Sequence, residues 1–272
     1  MTDSPAFNTF GAVRAAYWAL FARFHRLLYF VVIWLAAGAV FVLGVPELLE
    51  RSIDGRSGFE RMPPRALVSA LGEGAVMIAA SISTSIAWHR WIILGEPMDR
   101  IWPERTDIIA AYAWRSLVFI LVPILVTVVV LVAMAPYNGG LIDDGRWIEG
   151  YSSAATLVIL AAIARCQLAF AASAVADWEL TFRASWRLTA GYWWPLFWGY
   201  VAAVLPFTAI VVVLRTISFD LDADPVAQST IDNLASVIGV MGGIVCAAFL
   251  SYAYLHFTTG RPSARAPAGY FS

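Results

Sequence analysis

The sequence predicts an all-α protein that crosses a lipid bilayer several times, and three observations predict it. Of 272 residues, 60% are hydrophobic, only 14% are charged, and the mean hydropathy is +0.72. A soluble domain carries roughly 25% charged residues, so this chain needs a solvent other than water. Six mostly apolar runs, at 27–45, 66–88, 116–136, 153–176, 192–214 and 234–257, approach the roughly 20 residues that a crossing requires. No stretch between them has the charge density of a soluble domain, and the chain reads as one membrane domain with a short, flexible tail at 261–272.

Residues 6–26 form an amphipathic entry to the first run. Phe7, Phe10, Arg14, Tyr17, Trp18, Phe21 and Phe24 recur at helical spacing, so a helix here would set a wide aromatic face beside arginines in the headgroup layer. The segment lacks a short apolar core with a small-residue cleavage site, and the first span is expected to be retained. The second run is diluted by Ser69, Glu73, Ser81, Ser83, Thr84 and Ser85. Glu73 is the only carboxylate within a run. With Met77, Ser81, Thr84 and Trp88 it makes a polar stripe on roughly one helical face. Such a stripe lines a watery path for solute or protons or hydrogen-bonds a neighbouring helix.

The fourth run contains Arg165. A charge at mid-bilayer costs about 2.5–3.5 kcal/mol or more, so it must meet a ligand, a lipid phosphate, a buried partner or, by snorkelling, the headgroups. Small residues flank it at Ala161 and Ala169. The fifth run is entered through Ser185-Trp186-Arg187-Leu188-Thr189-Ala190-Gly191-Tyr192-Trp193-Trp194-Pro195. The sixth carries Ala235, Gly239, Gly243, Ala247 and Ser251, a small residue at every fourth position, which lets another helix approach closely. That helix is an intramolecular neighbour or a second copy.

Charge sets the orientation. All 18 basic residues are arginine. With both termini inside, eleven arginines face inward, six outward and Arg165 lies within a span. The first outer loop balances four arginines against Glu47, Glu50, Asp54 and Glu60, and the other outer loops are acidic, holding Asp143, Asp144 and Glu149, then Asp220, Asp222, Asp224 and Asp232. Trp114-Arg115 stands nine positions before Pro123 and Trp186-Arg187 nine before Pro195. Arg90 ends the second run as Arg165 sits in the fourth. The expected architecture is therefore three helical hairpins, runs one with two, three with four and five with six, each entered by an amphipathic segment.

Little in the chain suggests catalysis. There is no GxSxG, HExxH, phosphate-binding glycine loop or acid pair beside a histidine. His25, His89 and His256 fall at inner ends of runs one, two and six, where a metal or haem could be ligated, but each also suits a wet interfacial histidine and no cofactor is expected. Cys166 and Cys246 form no CxxC pair and read as packing residues. The net charge of −1 excludes a strongly basic nucleic-acid binder.

The stretch from Arg165 to Phe197, with Ala184-Ser185-Trp186-Arg187-Leu188-Thr189-Ala190-Gly191-Tyr192-Trp193-Trp194, resembles the membrane domain beside bacterial glycerophosphoryl diester phosphodiesterases and related free-standing six-helix inner-membrane proteins. The run Trp88-His89-Arg90-Trp91-Ile92-Ile93-Leu94-Gly95-Glu96 is similar to a segment of such proteins. The phosphodiesterase domain is missing, so the resemblance implies the membrane half alone, without hydrolysis, in a bacterial inner membrane. Arg165 and the Trp186–Trp194 entry are its signature positions.

The expectation is a non-enzymatic integral inner-membrane protein with both termini cytoplasmic, binding lipids or partner membrane proteins as a scaffold or envelope-homeostasis factor. A small-solute path along the polar face of run two is the alternative, and an intramembrane enzyme the third. Candidate buried-polar or lipid-contact residues are Arg165, Glu73, Ser81, Thr84, Arg90, Trp186 and Arg187. A homo-oligomer would form through run six. A cysteine introduced at Asp144 is expected to react with an impermeant thiol reagent added outside intact cells; protection there would invert the topology.

Overall fold

The computed structural model describes residues 7–29, 31–32, 64–98, 105–134, 164–220 and 225–259. These are helical almost throughout, and the seven principal helices are α1 (Thr9–Ala22), α2 (Pro64–Leu94), α3 (Thr106–Met134), α4 (Leu168–Ala174), α5 (Phe182–Leu188), α6 (Trp193–Asp220) and α7 (Pro225–Thr258). Most of the first run, the start of the fourth, the long loops and the tail lie outside the described residues.

α7 is the central element. It packs along α6 over the longest interface and also touches α1, α2 and α4, whereas α3 reaches the bundle through α2 and α4. Its seats on α6 are glycines. A Cβ added to Gly199 would lie 2.3 Å from Phe249, and one added to Gly242 would lie 3.0 Å from Phe207. Each glycine thus admits an aromatic ring from the opposite helix. The expected small-residue stripe is only half used. Ala235, Ala247 and Ser251 are buried, but Gly239 and Gly243 are exposed and a Cβ on either would meet nothing. The close approach runs through Gly242, one helical step away from the predicted row.

α1 does not present one aromatic face. Asn8 caps it, its side chain accepting from Gly11 N at 2.8 Å. Ala12, Ala16, Ala19 and Leu20 are buried, and their small size lets α1 lie close against α6 and α7. Phe7 turns inward onto Phe249, His256 and Phe257. Phe10, Trp18 and Phe21 point outward. Tyr17 serves another purpose: its hydroxyl donates to the carbonyls of Ala202 at 3.2 Å and Ala203 at 3.1 Å. Pro206 lies inside α6 and has no N–H to give to Ala202, four residues earlier. Tyr17 supplies that missing donor and stacks on Phe207.

α4 is short because its ends are closed on both sides. It follows a turn at Gln167, where the fourth run had suggested unbroken helix, and every one of its side chains is buried. It stops in a left-handed Ala176 (φ 60°), with Asp177 N donating to Ala172 O at 2.9 Å and Ala176 N to Ser173 O at 3.1 Å. This is the 6→1, 5→2 pattern that normally recruits glycine. Around it, Tyr112, Phe119 and Phe182 set ring edges against Phe170, making a second core between α2, α3 and α4.

Two described helices, over Trp193–Ile217 and Asn233–Thr258, are long and apolar enough to cross a membrane. The first keeps Leu205, Ile210, Val212, Val213 and Ile217 exposed. Alanine at Gly199 is expected to destabilise the protein by about 1–3 kcal/mol through overpacking against the buried Phe249 ring. Alanine at Gly239 is expected to be neutral or to stabilise by up to about 1 kcal/mol through helix propensity. Thermal unfolding in detergent compares them, and equal effects would refute the close α6–α7 approach.

Candidate functional site

The polar chemistry of the described residues collects at one end of the bundle. There the C-terminal ends of α2 and α7, the N-terminal part of α3, and α4, α5 and the start of α6 converge. Three arginines organise it, each donating to a backbone carbonyl far away in sequence.

Arg90 stands just before the last turn of α2 and grips Glu96 with a two-pronged contact, Nε to Oε2 at 2.7 Å and Nη2 to Oε1 at 2.5 Å. Glu96 is in reach because Gly95, at φ 70°, turns the chain back after α2. The remaining Nη1 donates to Ala174 O at 2.9 Å, closing the last turn of α4. Arg115, on α3, donates through Nη1 to Ala169 O, which also accepts from Ser173 Oγ at 3.0 Å. At the mouth of α3 an exposed pair forms between Arg105 and Asp107 at 2.5 Å. Hydrogen bonding from Arg105 holds the Asp107 carboxyl below its usual range.

Arg165 stands just before the turn at Gln167 that precedes α4. Its guanidinium lies 3.7 Å from the centre of the Trp186 ring, and its Nη2 donates to Trp186 O at 2.6 Å. Its own carbonyl accepts from Ser185 Oγ at 2.6 Å and from Thr189 Oγ1 at 3.4 Å. Backbone and side chain are therefore both fastened to α5, whose Thr181 cap accepts from Ala184 N at 3.3 Å. The Nε of Arg165 is buried without a partner. Arg183 and Arg187 project from α5, exposed. Asp177, nearby in the chain, accepts from the Tyr254 hydroxyl at 2.8 Å and from Glu179 N at 3.2 Å.

A second polar group is fully enclosed. His89 Nδ1 lies 2.7 Å from Ser251 Oγ, and Tyr112 Oη lies 3.4 Å from His89 Nε2. Ser251 Oγ also lies 2.9 Å from Ala247 O. With that hydroxyl donating to Ala247, the Nδ1–H tautomer of His89 donates to Ser251 and its Nε2 accepts from Tyr112. In this tautomer the donors run one way across α3, α2 and α7. All three side chains are buried.

The predicted residues are thus partly brought together. Arg165 and Trp186 meet; Arg187 joins them on α5; Arg90 stands apart, on the far side of α4. The stripe on α2 divides, since Ser81 is exposed while Thr84 is buried and spends its hydroxyl on Ala80 O at 2.8 Å. Glu73 lies on α2, and its side chain falls outside the described residues. The three histidines do not converge: His25 is exposed, His89 binds Ser251, and His256 packs on Phe7 and Phe257. The two Trp-Arg to Pro segments also differ locally. Pro123 sits within the unbroken α3, whereas Pro195 is the third residue of α6 after a break at 189–192. The hydrogen-bonding roles of Glu96, Ser185, Thr189 and Ser251 escape sequence reasoning, although a glutamate just past a helix-ending glycine is a usable signal for the first.

No family model matches the chain, and no curated protein or solved structure matches it. Arg165→Ala is expected to cost roughly 2 kcal/mol, from a charged hydrogen bond and ring stacking, and to lower the unfolding temperature in detergent more than Arg146→Ala does. Arg165→Lys should recover only part, because an ammonium lacks the planar face. An unchanged alanine variant would refute the clamp.

Proposed function

We propose that the chain is an integral protein of a bacterial inner membrane, crossing it six times as three hairpins with both termini cytoplasmic. It works without catalysis, binding lipids or partner membrane proteins through a basic, aromatic surface at its cytoplasmic end, as a scaffold or envelope-homeostasis factor. The observation that carries this reading is the company kept by the exposed rings. Trp178, Trp186, Trp193, Trp194 and Trp198 are all more than 40% exposed around the start of α6, where an apolar helix of crossing length begins. Indoles favour the headgroup boundary, where the ring is dry and the N–H is wet. On α1, exposed Phe10, Trp18 and Phe21 accompany exposed Arg14. The resemblance of the 165–197 stretch to the membrane half of the phosphodiesterase proteins supports the same assignment.

The expected behaviour is retention in the membrane pellet through high-salt and alkaline washes, release by mild detergent, and co-purifying lipid in native mass spectra. A chain that stays monodisperse in detergent-free buffer would overturn the reading.

A further inference from the structure

We infer that α5 carries a binding site for an anionic phospholipid headgroup, built from Arg183, Arg187 and the Arg165–Trp186 stack. The inference rests on the membrane reading above and names the ligand class of its cytoplasmic surface. Arg183, Trp186 and Arg187 stand at i, i+3 and i+4, so they share one face of α5. Arg165 lies over the indole of Trp186 and brings a third guanidinium to the same face. Like charges at this spacing repel, and no carboxylate among the described residues pairs with them: the ion pairs there are Arg90–Glu96 and Arg105–Asp107. Of the nearest acids, Asp177 already accepts from Tyr254 and from Glu179 N, and Glu179 is exposed and unpaired.

The helix that carries the cluster is also held in place before any ligand arrives. Ser185 and Thr189 fasten α5 to the Arg165 carbonyl, and Arg165 fastens itself to Trp186 O. A preorganised site loses little freedom on binding. Guanidinium groups match the oxygen geometry of a phosphodiester. Five residues after Leu188, α6 begins with exposed Trp193 and Trp194, which fixes the cluster at the depth where lipid phosphates lie. Uncompensated positive charge selects a headgroup with net negative charge over a zwitterionic one, as juxtamembrane arginines do.

The test is native mass spectrometry of the full chain in mild detergent, titrated with phosphatidylglycerol or with phosphatidylcholine. Wild type is expected to retain phosphatidylglycerol preferentially. Each arginine removed should weaken retention about fivefold, so Arg183→Gln with Arg187→Gln should weaken it by more than tenfold. Arg215→Gln, at the other end of α6, should match wild type. Thermal unfolding establishes that the double variant is folded; if it is not, the charge-keeping Arg183→Lys/Arg187→Lys pair is compared with each single glutamine variant instead. Equal retention of the two lipids, or an unaltered folded double variant, would overturn the site. Displacement of phosphatidylglycerol by glycerol 3-phosphate at equal concentration would overturn the lipid as its source. A chain that needs detergent yet shows no lipid preference sinks this site alone, whereas one soluble without detergent sinks the membrane reading as well.

Discussion

The arrangement depends on one requirement, that backbone carbonyls released from helical pairing find donors where water is scarce. An unmet peptide group in an apolar medium costs several kcal/mol, and this chain has many helix ends packed inside it. Long side chains answer the need. Arg90 reaches Ala174 O, Arg165 reaches Trp186 O, and Tyr17 reaches Ala202 O, which Pro206 leaves without a backbone donor. Arginine suits the task because it stays ionised and presents five N–H groups in a fixed plane. One head can hold a carboxylate and a carbonyl together, as Arg90 does with Glu96 and Ala174. The short helices α4 and α5 exist because these donors make early termination tolerable.

The same requirement explains why the polar residues cluster at helix ends while the middles of α6 and α7 are almost wholly apolar. Crossing-length helices satisfy their own peptide groups and ask only for packing, which glycines at 199 and 242 provide by receiving Phe249 and Phe207. The ends have no such self-sufficiency. They are knitted by side chains instead, and the enclosed Tyr112–His89–Ser251 series ties α3, α2 and α7 at a fixed register.

Helices were legible in the sequence where apolar runs are long. The runs at 192–214 and 234–257 became α6 and α7, and those at 66–88 and 116–136 became the described parts of α2 and α3. Arg165 and the Trp186 entry were legible as a pair because both broke the apolar pattern. Their joining was not, since they lie 21 residues apart and the turn between them depends on a left-handed alanine that no glycine advertises. The Ser81–Thr84 stripe divides because adjacent helices cover only part of α2, so nearby angular positions end in different surroundings. The two nine-residue spacings from Trp-Arg to Pro end in different local structures because proline is tolerated both in the third position of a helix and deep within one whose neighbours compensate.

The hydrogen bonds from Tyr17 to the α6 carbonyls span 185 and 186 positions of chain. During synthesis α1 therefore has no seat until the 185 or so residues that separate Tyr17 from these carbonyls have followed it. Throughout that interval α1 must wait with its alanine face uncovered, and α7, which completes the seat, comes later still than α6. Assembly is thus gated by translation of α6 and α7, and a product terminated before them would expose an α1 segment that quality-control proteases can seize.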